Sequence, residues 1–443
     1  MTTSTHNLTS NRVRVRPGQF LRGVIRVPGD KSISHRALIF GALADGVSEI
    51  RGFLPAGDTL ATLGCIRALG VQVDRHDDTT LTVHGRGLRG LQQPNQLLDC
   101  VNAGTGIRLL AGVMAGQPFP SILDGSEQLR RRPMKRITEP LRLMGANVEE
   151  DEGRAPLHFG GAHLKGITYE MPVASAQVKS CLLLAGLFAS GPTTIIEPGP
   201  ARDHTEGMLR AMGADIRKND NRVTITPVER LRPLNWTIPA DISSAAFPLV
   251  AGLLIHGAEV VIEGVGVNDT RTGIIDALAL MGATVHQSNV HEEGGEPVAD
   301  LTVRSIPLHG ANIKGDLVVR MIDEFPILMV AALHANGITE VSEARELRVK
   351  ETDRIAVMAT ELRKLGAVIE ERPDGFVIEG PQQLRGAVVD GHDDHRVAMS
   401  LTVAGLLAEG ETIVEDARCA HDSFPGFVET MQSLGADATW CVD

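Results

Sequence analysis

Apolar positions recur along the chain in segments that end at a glycine. Six times, an amphipathic segment with apolar residues at helical spacing ends in Leu-Gly or Met-Gly, and a short segment typical of a strand follows. The residue just after a helix adopts a positive φ, which glycine supplies without a Cβ clash. These glycines stand roughly 70 to 85 residues apart, as internal repeats do: Gly70, Gly145, Gly213, Gly282, Gly366 and Gly435.

A second series of glycines runs in phase with the first. Each ends an apolar helical segment upstream of the first marker and precedes a β-rich run: Gly46, Gly116, Gly191, Gly257, Gly337 and Gly410. Each unit therefore reads as helix, strand, strand, helix, strand. Helices such as QVKSCLLLAGLFAS are apolar on most sides, which predicts that they are buried.

Six units predict an α/β fold in two similar halves of three units each. The stretch LRPLNWTIPAD, residues 231–241, separates the third unit from the fourth and is a candidate hinge. The repeats alone do not show which half the first 25 residues join.

Composition narrows the class of protein. The chain has 443 residues, 43% of them hydrophobic, which is enough for more than one core. A net charge of −12 excludes a general polyanion-coating protein, so any anion site must be locally basic. Five cysteines without a C-x-x-C pair favour the reduced cytoplasm. No apolar run is long enough for a membrane span, and we expect neither a membrane nor a nucleic-acid partner.

The polar clusters that precede the first helix of each unit differ from one another, whereas the helices are alike. Helix N-termini present unpaired N–H groups and a partial positive charge, so several of them at one cleft would bind anions without a metal. The clusters are GDKSISHR (29–36), NAGTGIR (102–108), ASAQVKS (174–180), ADISSAA (240–246), MIDEF (321–325) and DDHR (393–396). Function is therefore expected at these six positions.

The cluster GDKSISHR carries the strongest anion-binding signal. Asp30 is placed to cap the helix, while Lys31, Ser32 and Arg36 offer charge and hydroxyl to a phosphate or carboxylate. The alternative is a capped helix with a solvated basic edge. In NAGTGIR, Gly104 lets the backbone approach a ligand.

A basic run, LRRRPMKR, lies just before another helix. Most of its charges are expected to be solvated, and Pro133 at the helix start singles out Arg132 as the one functional arginine.

The motif LRVKETDR places Lys350 and Arg354 four residues apart, with Glu351 beside them. On a helix they would share one face, and a surface ladder of salt bridges is the alternative to a binding site. Asp323 stands in an otherwise apolar stretch, where an unpaired carboxylate would be costly. A carboxylate that faces a cationic pocket avoids that cost and is placed to act as a base.

Three patterns are rejected as sites. HGRGLRG matches the spacing of a dinucleotide-binding loop, but no helix follows it. HDDH, residues 392–395, has metal-like spacing without an identifiable third ligand, so we expect no metal. No nucleotide triphosphate loop of the G-x-x-x-x-G-K-[ST] type occurs.

Taken in order, the motifs resemble those of the EPSP synthase family, the 3-phosphoshikimate 1-carboxyvinyltransferases, over almost the full chain. The matching segments are GDKSISHRA, NAGTGIR, RRPM, SAQVKS, RDHTE, MIDE, LRVKETDR, DHR and SFP, several of them similar to the class II bacterial branch. The resemblance implies two domains, each of three βαβαββ units, joined by two hinge strands. Residues 26–235 would form an inserted first domain, residues 1–25 and 241–443 the second, with crossings near 22–30 and 235–241.

The resemblance also implies a reaction. The family transfers the enolpyruvyl group of phosphoenolpyruvate to the 5-hydroxyl of shikimate 3-phosphate through a tetrahedral intermediate, and it needs no cofactor. The residues implied for shikimate 3-phosphate are Lys31, Ser32, Arg36, Ser175, Gln177, Arg202, Asp323 and Lys350. Those implied for phosphoenolpyruvate are Lys31, Gly104, Arg132, Gln177, Arg354 and Arg396.

Three of these residues are implied to be catalytic. Asp323 would accept the 5-hydroxyl proton. Glu351 and Lys31 would deliver protons to the methylene carbon and to the leaving phosphate, and the division between them stays open at this point.

Two positions bear on how this chain compares with its family. Many relatives have a lysine where this chain has Asp422, although the class II branch commonly lacks it, so no C-terminal lysine is assigned. Glyphosate-tolerant class II members carry alanine at the position of Gly104, where the extra methyl group crowds the inhibitor. Gly104 therefore predicts a glyphosate-sensitive enzyme.

Two other functions remain as alternatives. The sister family that acts on UDP-N-acetylglucosamine carries a cysteine before its Arg-Pro, whereas residues 117–133 contain none. A non-catalytic sensor of phosphorylated metabolites would need the cations but not Asp323 and Glu351. For the transferase we expect a monomer whose two facing groups of cations repel each other until a polyanion bridges them.

Overall fold

The structure, a computed structural model, describes residues 10–18 and 20–442. Its described part contains six four-stranded sheets, each accompanied by helices, which confirms the predicted α/β fold of six units. Residues 1–9, Gln19 and Asp443, which fall within the predicted second domain, lie outside the described residues.

Two strands precede the first unit, β1 (Val13–Val15) and β2 (Arg22–Ile25). The first half then contains α1 (Lys31–Leu43), β3 (Val47–Arg51), α2 (Gly57–Ala68), β4 (Gln72–Arg75), β5 (Leu81–His84), β6 (Leu98–Asp99), α3 (Gly104–Ala115), β7 (Ser121–Asp124), α4 (Glu127–Arg130), α5 (Lys135–Leu143), β8 (Asn147–Asp151), β9 (Arg154–Gly160), β10 (Thr168–Glu170), α6 (Ala176–Gly186), β11 (Thr193–Ile196), α7 (His204–Ala211), β12 (Asp215–Asn219) and β13 (Arg222–Thr226).

The first half ends with β14 (Trp236–Thr237), and the second half begins with α8 (Ile242–Leu254). It continues with β15 (Glu259–Gly266), α9 (Gly273–Leu280), β16 (His286–Glu293), β17 (Glu296–Arg304), β18 (Asn312–Ile313), α10 (Asp316–Arg320), α11 (Phe325–His334), β19 (Gly337–Val341), a 3₁₀ helix (Arg345–Val349), α12 (Arg354–Lys364), β20 (Glu370–Arg372), β21 (Gly375–Gly380), β22 (Val388–Asp390), α13 (His395–Leu406), β23 (Thr412–Glu415), a second 3₁₀ helix (Ala417–Asp422), α14 (Phe427–Ser433) and β24 (Ala438–Trp440).

The order of strands within a unit differs from the prediction made from the glycine pattern. The first and second helices of a unit are joined by one strand, not two. In the first unit, for example, α2 begins soon after β3. Two strands follow the second helix as an antiparallel pair, and a fourth strand leads into the first helix of the next unit. In the second unit β6 pairs parallel with β7, and β7 pairs antiparallel with β9, which gives the βαβαββ order that the family resemblance implies.

Apolar side chains form two separate buried clusters. One is drawn from residues 33–238, and the other from residues 13–27 and 240–438. Strand β1 lies between β23 and β24, and β2 pairs with β15, whereas β14 pairs with β3. We propose from these pairings that the N-terminal strands belong to the second domain and that the first domain extends two residues beyond its predicted end, to Thr237.

The chain crosses between the two clusters twice, and the crossings lie side by side. The backbone N–H of Asp30 donates to the carbonyl of Pro239 at 2.8 Å, and that of Asp241 donates to the carbonyl of Pro28 at 2.9 Å. The two segments are therefore hydrogen-bonded to each other at the predicted hinge.

The first helices of the units are buried on nearly all sides, as their apolar sequences predict. Every residue of α6 from Val178 to Gly186 is buried, and α8 is buried except at Leu254. The six glycines that end the second helices all have positive φ, between 84° and 104°. Within the described residues, no helix combines the length and apolar character that crossing a membrane requires.

Close packing of α3 against α6 yields a test of the fold. A Cβ at Gly112 would lie far inside van der Waals contact with the carbonyl oxygen of Cys181, whereas a Cβ at Gly64 in α2 would meet nothing within 4 Å. We expect Gly112→Ala to destabilise the protein by about 1–3 kcal/mol because the helices must separate. Gly64→Ala, the matched control, should stabilise it by roughly 0.4–1 kcal/mol.

The measurement is the urea midpoint of unfolding of both variants beside the wild type. Equal midpoints for Gly112→Ala and wild type would contradict the described packing of these two helices.

Candidate active site

All six first helices of the units begin at one cleft between the two halves. This confirms the prediction that the polar clusters converge, and it directs six helix N-termini at one space. The side chains and backbone that these helix starts contribute are Lys31, Ser32, Gly104, Thr105, Ser175, Ala176, Gln177, Asp241, Asp323, His395 and Arg396.

The start of α1 is built as predicted. The Asp30 side chain caps the helix by accepting from the backbone N–H of Ile33 at 2.8 Å. Lys31 and Ser32 line the cleft, and the Lys31 ammonium lies 3.0 Å from Asp58 at the start of α2. Asp58 was not predicted, because its contact with Lys31 depends on how two helices pack.

Arg36 lies behind the cleft and not on its surface, so it is not placed to contact a ligand directly. Its side chain is buried, and the cleft lining does not include it. The guanidinium donates to Thr205 Oγ1 and Ser180 Oγ at 2.8 and 2.9 Å and to the carbonyl of Ser32 at 2.9 Å. In this arrangement Arg36 holds Ser32 in place from beneath.

Arg108 joins three parts of the cleft. Its guanidinium donates to Gln177 Oε1 at 2.8 Å, to the carbonyl of Gly104 at 3.1 Å and to the carbonyl of Pro133 at 3.1 Å. Burial, followed by the nearby charge of Arg132, lowers the pKa of Arg108 well below its usual value. Arg108 is the last residue of the cluster NAGTGIR, in which only Gly104 was assigned a role from the sequence.

Some side chains of the basic run LRRRPMKR lie away from the cleft, and others line it. Arg130 pairs with Asp124, and Arg131 is largely exposed, whereas Arg132 reaches the cleft. Arg136 also lines the cleft and lies 3.3 Å from Glu346 of the other half, so two arginines of this run reach the cleft. The helix itself begins at Lys135, two residues after Pro133.

Asp323 lies where basic side chains of both halves meet. Its carboxylate accepts from Arg202 at 2.6 Å and lies 3.4 Å from both Lys350 and Arg354. Burial alone would raise the pKa of Asp323, but the charges of Lys350, Arg202 and Arg396 hold it well below the usual range. The carboxylate is therefore ionised and able to accept a proton.

The segment LRVKETDR is not the continuous helix that would place its charges on one face. A 3₁₀ turn ends at Val349, Lys350 is extended, and α12 begins at Arg354. The helix starts there because Asp353 caps it, accepting from the backbone N–H of Ala356 at 3.0 Å. Lys350 and Arg354 nevertheless converge on Asp323, so they form part of a site and not a surface ladder of salt bridges.

Glu351 bridges the halves from the same turn. It accepts from Arg132 of the first half at 3.2 Å and from Arg354 at 2.7 Å. Burial would raise its pKa, but the charges of Arg354 and Arg132 hold the pKa of Glu351 well below its usual value. Two ionised carboxylates, Asp323 and Glu351, thus share one basic cleft.

The start of α13 supplies His395 and Arg396 to the cleft. Burial, Lys31 and Arg396 hold the pKa of His395 well below its ordinary value, so the imidazole stays neutral. His392, the other histidine of HDDH, lies 2.9 Å from Glu361 and is not in the cleft lining. Among residues 10–18 and 20–442, no group of three or more His, Cys, Asp or Glu side chains is placed to hold a metal ion.

The cleft is basic although the chain is acidic. Nine basic and six acidic side chains line it, whereas the whole chain carries −12. Long-range pairing brings in residues that no local motif marked: Asp58, Arg271 and Glu346. Arg271 follows the sequence Asn-Asp-Thr, which is typical of a turn. This local pattern does not indicate that Arg271 has buried partners.

Comparison with known proteins places these features in a family. The model of the EPSP synthase (3-phosphoshikimate 1-carboxyvinyltransferase) family matches residues 15–431. The 3-phosphoshikimate 1-carboxyvinyltransferase of Citrifermentans bemidjiense is 52% identical over 95% of this chain and 98% of that protein, and that of Acidithiobacillus ferrooxidans is 51% identical over 96% and 98%. The solved EPSP synthase of Acinetobacter baumannii superposes with a TM-score of 0.86 at 43% identity, covering 97% of this chain and 99% of that one.

Proposed function

The chain belongs to the EPSP synthase family, and we propose that the cleft between its halves is where it carries out the family's reaction. It is a 3-phosphoshikimate 1-carboxyvinyltransferase of the shikimate pathway, transferring the enolpyruvyl group of phosphoenolpyruvate to the 5-hydroxyl of shikimate 3-phosphate and releasing phosphate. The observation that carries the proposed site is the presence of two buried, ionised carboxylates, Asp323 and Glu351, within a basic cleft.

Charge in the cleft suits both substrates. Each substrate carries a phosphate and a carboxylate, and arginine binds such groups through paired, charge-assisted hydrogen bonds. The excess of basic over acidic side chains in the lining supports binding of two polyanions side by side. No cofactor is needed for the chemistry that follows.

We assign shikimate 3-phosphate to the part of the cleft around Asp323. Lys31, Ser32, Ser175, Gln177, Arg202 and Lys350 line that region with it, and Arg36 supports it from behind. Phosphoenolpyruvate is assigned to the adjoining part around Glu351. Gly104, Arg132, Arg354 and Arg396 line it, and Lys31 and Gln177 are shared by both substrates.

Asp323 is the proposed base. As the 5-hydroxyl oxygen forms a bond to the central carbon of phosphoenolpyruvate, its proton passes to the Asp323 carboxylate. The surrounding cations make Asp323 a weak base. The phosphate and carboxylate of the substrate engage Lys350 and Arg202. Their negative charge offsets the effect of these two cations on Asp323, so the pKa of Asp323 rises and the carboxylate becomes a stronger base.

The methylene carbon takes up a proton in the same step, giving the tetrahedral intermediate, and loses it when the bond to phosphate breaks. Glu351 lies against Arg132 and Arg354, the arginines assigned to phosphoenolpyruvate, which supports a position for it beside the methylene carbon. We assign this proton to Glu351 and the proton of the leaving phosphate to Lys31. Substrate anions that engage Arg132 and Arg354 raise the pKa of Glu351 and so allow it to donate.

Two features favour a transferase over the alternatives. A non-catalytic sensor gains nothing from burying two carboxylates among the cations that bind its ligand, since they weaken anion binding. The UDP-N-acetylglucosamine enzyme is disfavoured by the absence of cysteine from residues 117–133. The five cysteines are free and four of them are buried, which supports a cytoplasmic location. We also infer that the protein is a monomer and has neither a nucleic-acid nor a membrane partner.

Removing either carboxylate tests the proposed site. Asp323→Asn should lower kcat by about 100- to 10,000-fold because the 5-hydroxyl proton loses its acceptor. Glu351→Gln should lower kcat within the same range, because protonation of the methylene carbon fails. The measurement is phosphate release from phosphoenolpyruvate with shikimate 3-phosphate, with UDP-N-acetylglucosamine or with no acceptor.

Asp276→Asn is the matched control, because Asp276 is half-exposed and pairs with Arg320 away from the cleft lining. Its kcat should equal that of the wild type. Phosphate release that depends on UDP-N-acetylglucosamine, or full activity of Asp323→Asn, would contradict the proposal.

Gly104→Ala tests the phosphoenolpyruvate side. A Cβ at this position would lie 2.7 Å from Cζ of Arg132 and closer still to Nη1, so the guanidinium must move. We expect a raised KM for phosphoenolpyruvate together with weaker inhibition by glyphosate. Gly207→Ala, where an added Cβ meets nothing within 4 Å, should change neither. Unchanged inhibition of Gly104→Ala would refute the assignment of Gly104 to this pocket.

A further inference from the structure

Arg271 lies at the centre of the molecule, and none of the roles given above uses it. It precedes α9 in the fourth unit, its side chain is only 4% exposed, and it lines the cleft. A buried arginine is retained only with charged or hydrogen-bonding partners. The identity of those partners indicates what it does.

Two partners are the caps of equivalent helices in the two halves. Nη2 of Arg271 donates to Asp241 Oδ1 at 2.9 Å and to Ser243 Oγ at 2.9 Å, and it lies 3.4 Å from Asp30 Oδ2. Asp30 caps α1 and Asp241 caps α8, where the chain crosses between the halves. One guanidinium therefore joins the two crossings.

The third carboxylate partner is the proposed base. Nη1 of Arg271 lies 3.9 Å from Asp323 Oδ2, the oxygen that also accepts from Arg202. Two carboxylates as close as Asp30 and Asp241 repel unless a cation lies between them. Through Nη2, Arg271 offsets the repulsion between Asp30 and Asp241, and through Nη1 it attracts Asp323. A displacement of the crossings would therefore also displace the base.

We propose that Arg271 is a positioning residue for the enolpyruvyl transfer, coupling the crossings between the halves to the placement of the Asp323 carboxylate. The inference rests on the proposed role of Asp323 as the base. The charged groups that face Asp323 are Lys350, Arg202, Arg396, Arg354 and Arg271 itself, and those that face Arg271 are Asp30, Asp241, Asp323 and Glu324.

The test is the pH dependence of kcat/KM in Arg271→Gln and Arg271→Lys. Loss of a cation beside Asp323 raises the pKa of that carboxyl, so activity in Arg271→Gln should fall off at a higher pH on the acidic side than in the wild type. Its kcat should drop at least tenfold, with smaller changes in both KM values. Arg271→Lys, which keeps the charge, should retain the wild-type acidic limb and recover part of kcat.

Arg304→Gln is the control, because Arg304 is an exposed arginine of the same unit that pairs with Glu259. It should leave kcat and the pH profile unchanged. If Arg271→Gln does not fold, the double variant Arg271→Met/Asp241→Asn removes one charge of each sign and so leaves the net charge of the buried cluster unchanged. The acidic limb of that folded variant should still move to higher pH.

A wild-type pH profile and kcat in Arg271→Gln, or in the double variant, would overturn the inference. Failure of the proposed function is distinguishable, because Asp323→Asn would then keep its activity. Loss of activity in Asp323→Asn combined with an unshifted profile in the Arg271 variants would remove only the role of Arg271.

Discussion

Concentration of positive charge between two halves of an acidic protein is the constraint on which the rest of the structure depends. Arginines and lysines do not stay buried without partners, and several of the partners here cross the cleft. Arg132 pairs with Glu351, Arg202 with Asp323 and Arg136 with Glu346, each joining one half to the other. Two of these three carboxylates, Asp323 and Glu351, are also proposed to move protons.

Repetition of one unit makes this concentration possible. Each unit contributes a buried apolar helix whose first turn opens on the cleft, so six partial positive charges are fixed by the fold before any side chain is considered. The apolar helices are alike because they share one packing role. Their polar starts differ, and we propose that each faces a different part of the two substrates.

Local patterns in the sequence were sufficient for the repeats, the helix starts and the cap formed by Asp30, since each depends on residues a few positions apart. They were not sufficient where the partner is distant in the chain. Arg136 and Arg271 are paired with carboxylates of other units, and only the folded chain brings these together. The motif LRVKETDR misled for a related reason: Asp353 caps a helix that starts at Arg354, so Lys350 and Glu351 project from a turn.

The central claim is that the basic side chains in excess over the cleft's own carboxylates keep the two halves apart until substrate anions neutralise them. Small-angle X-ray scattering tests it most directly, on the full chain alone and with shikimate 3-phosphate, at low and high salt. The account predicts a smaller radius of gyration when shikimate 3-phosphate is bound, with the contraction weakened by salt because screening reduces the attraction. Identical dimensions with and without a saturating amount of the ligand would contradict it.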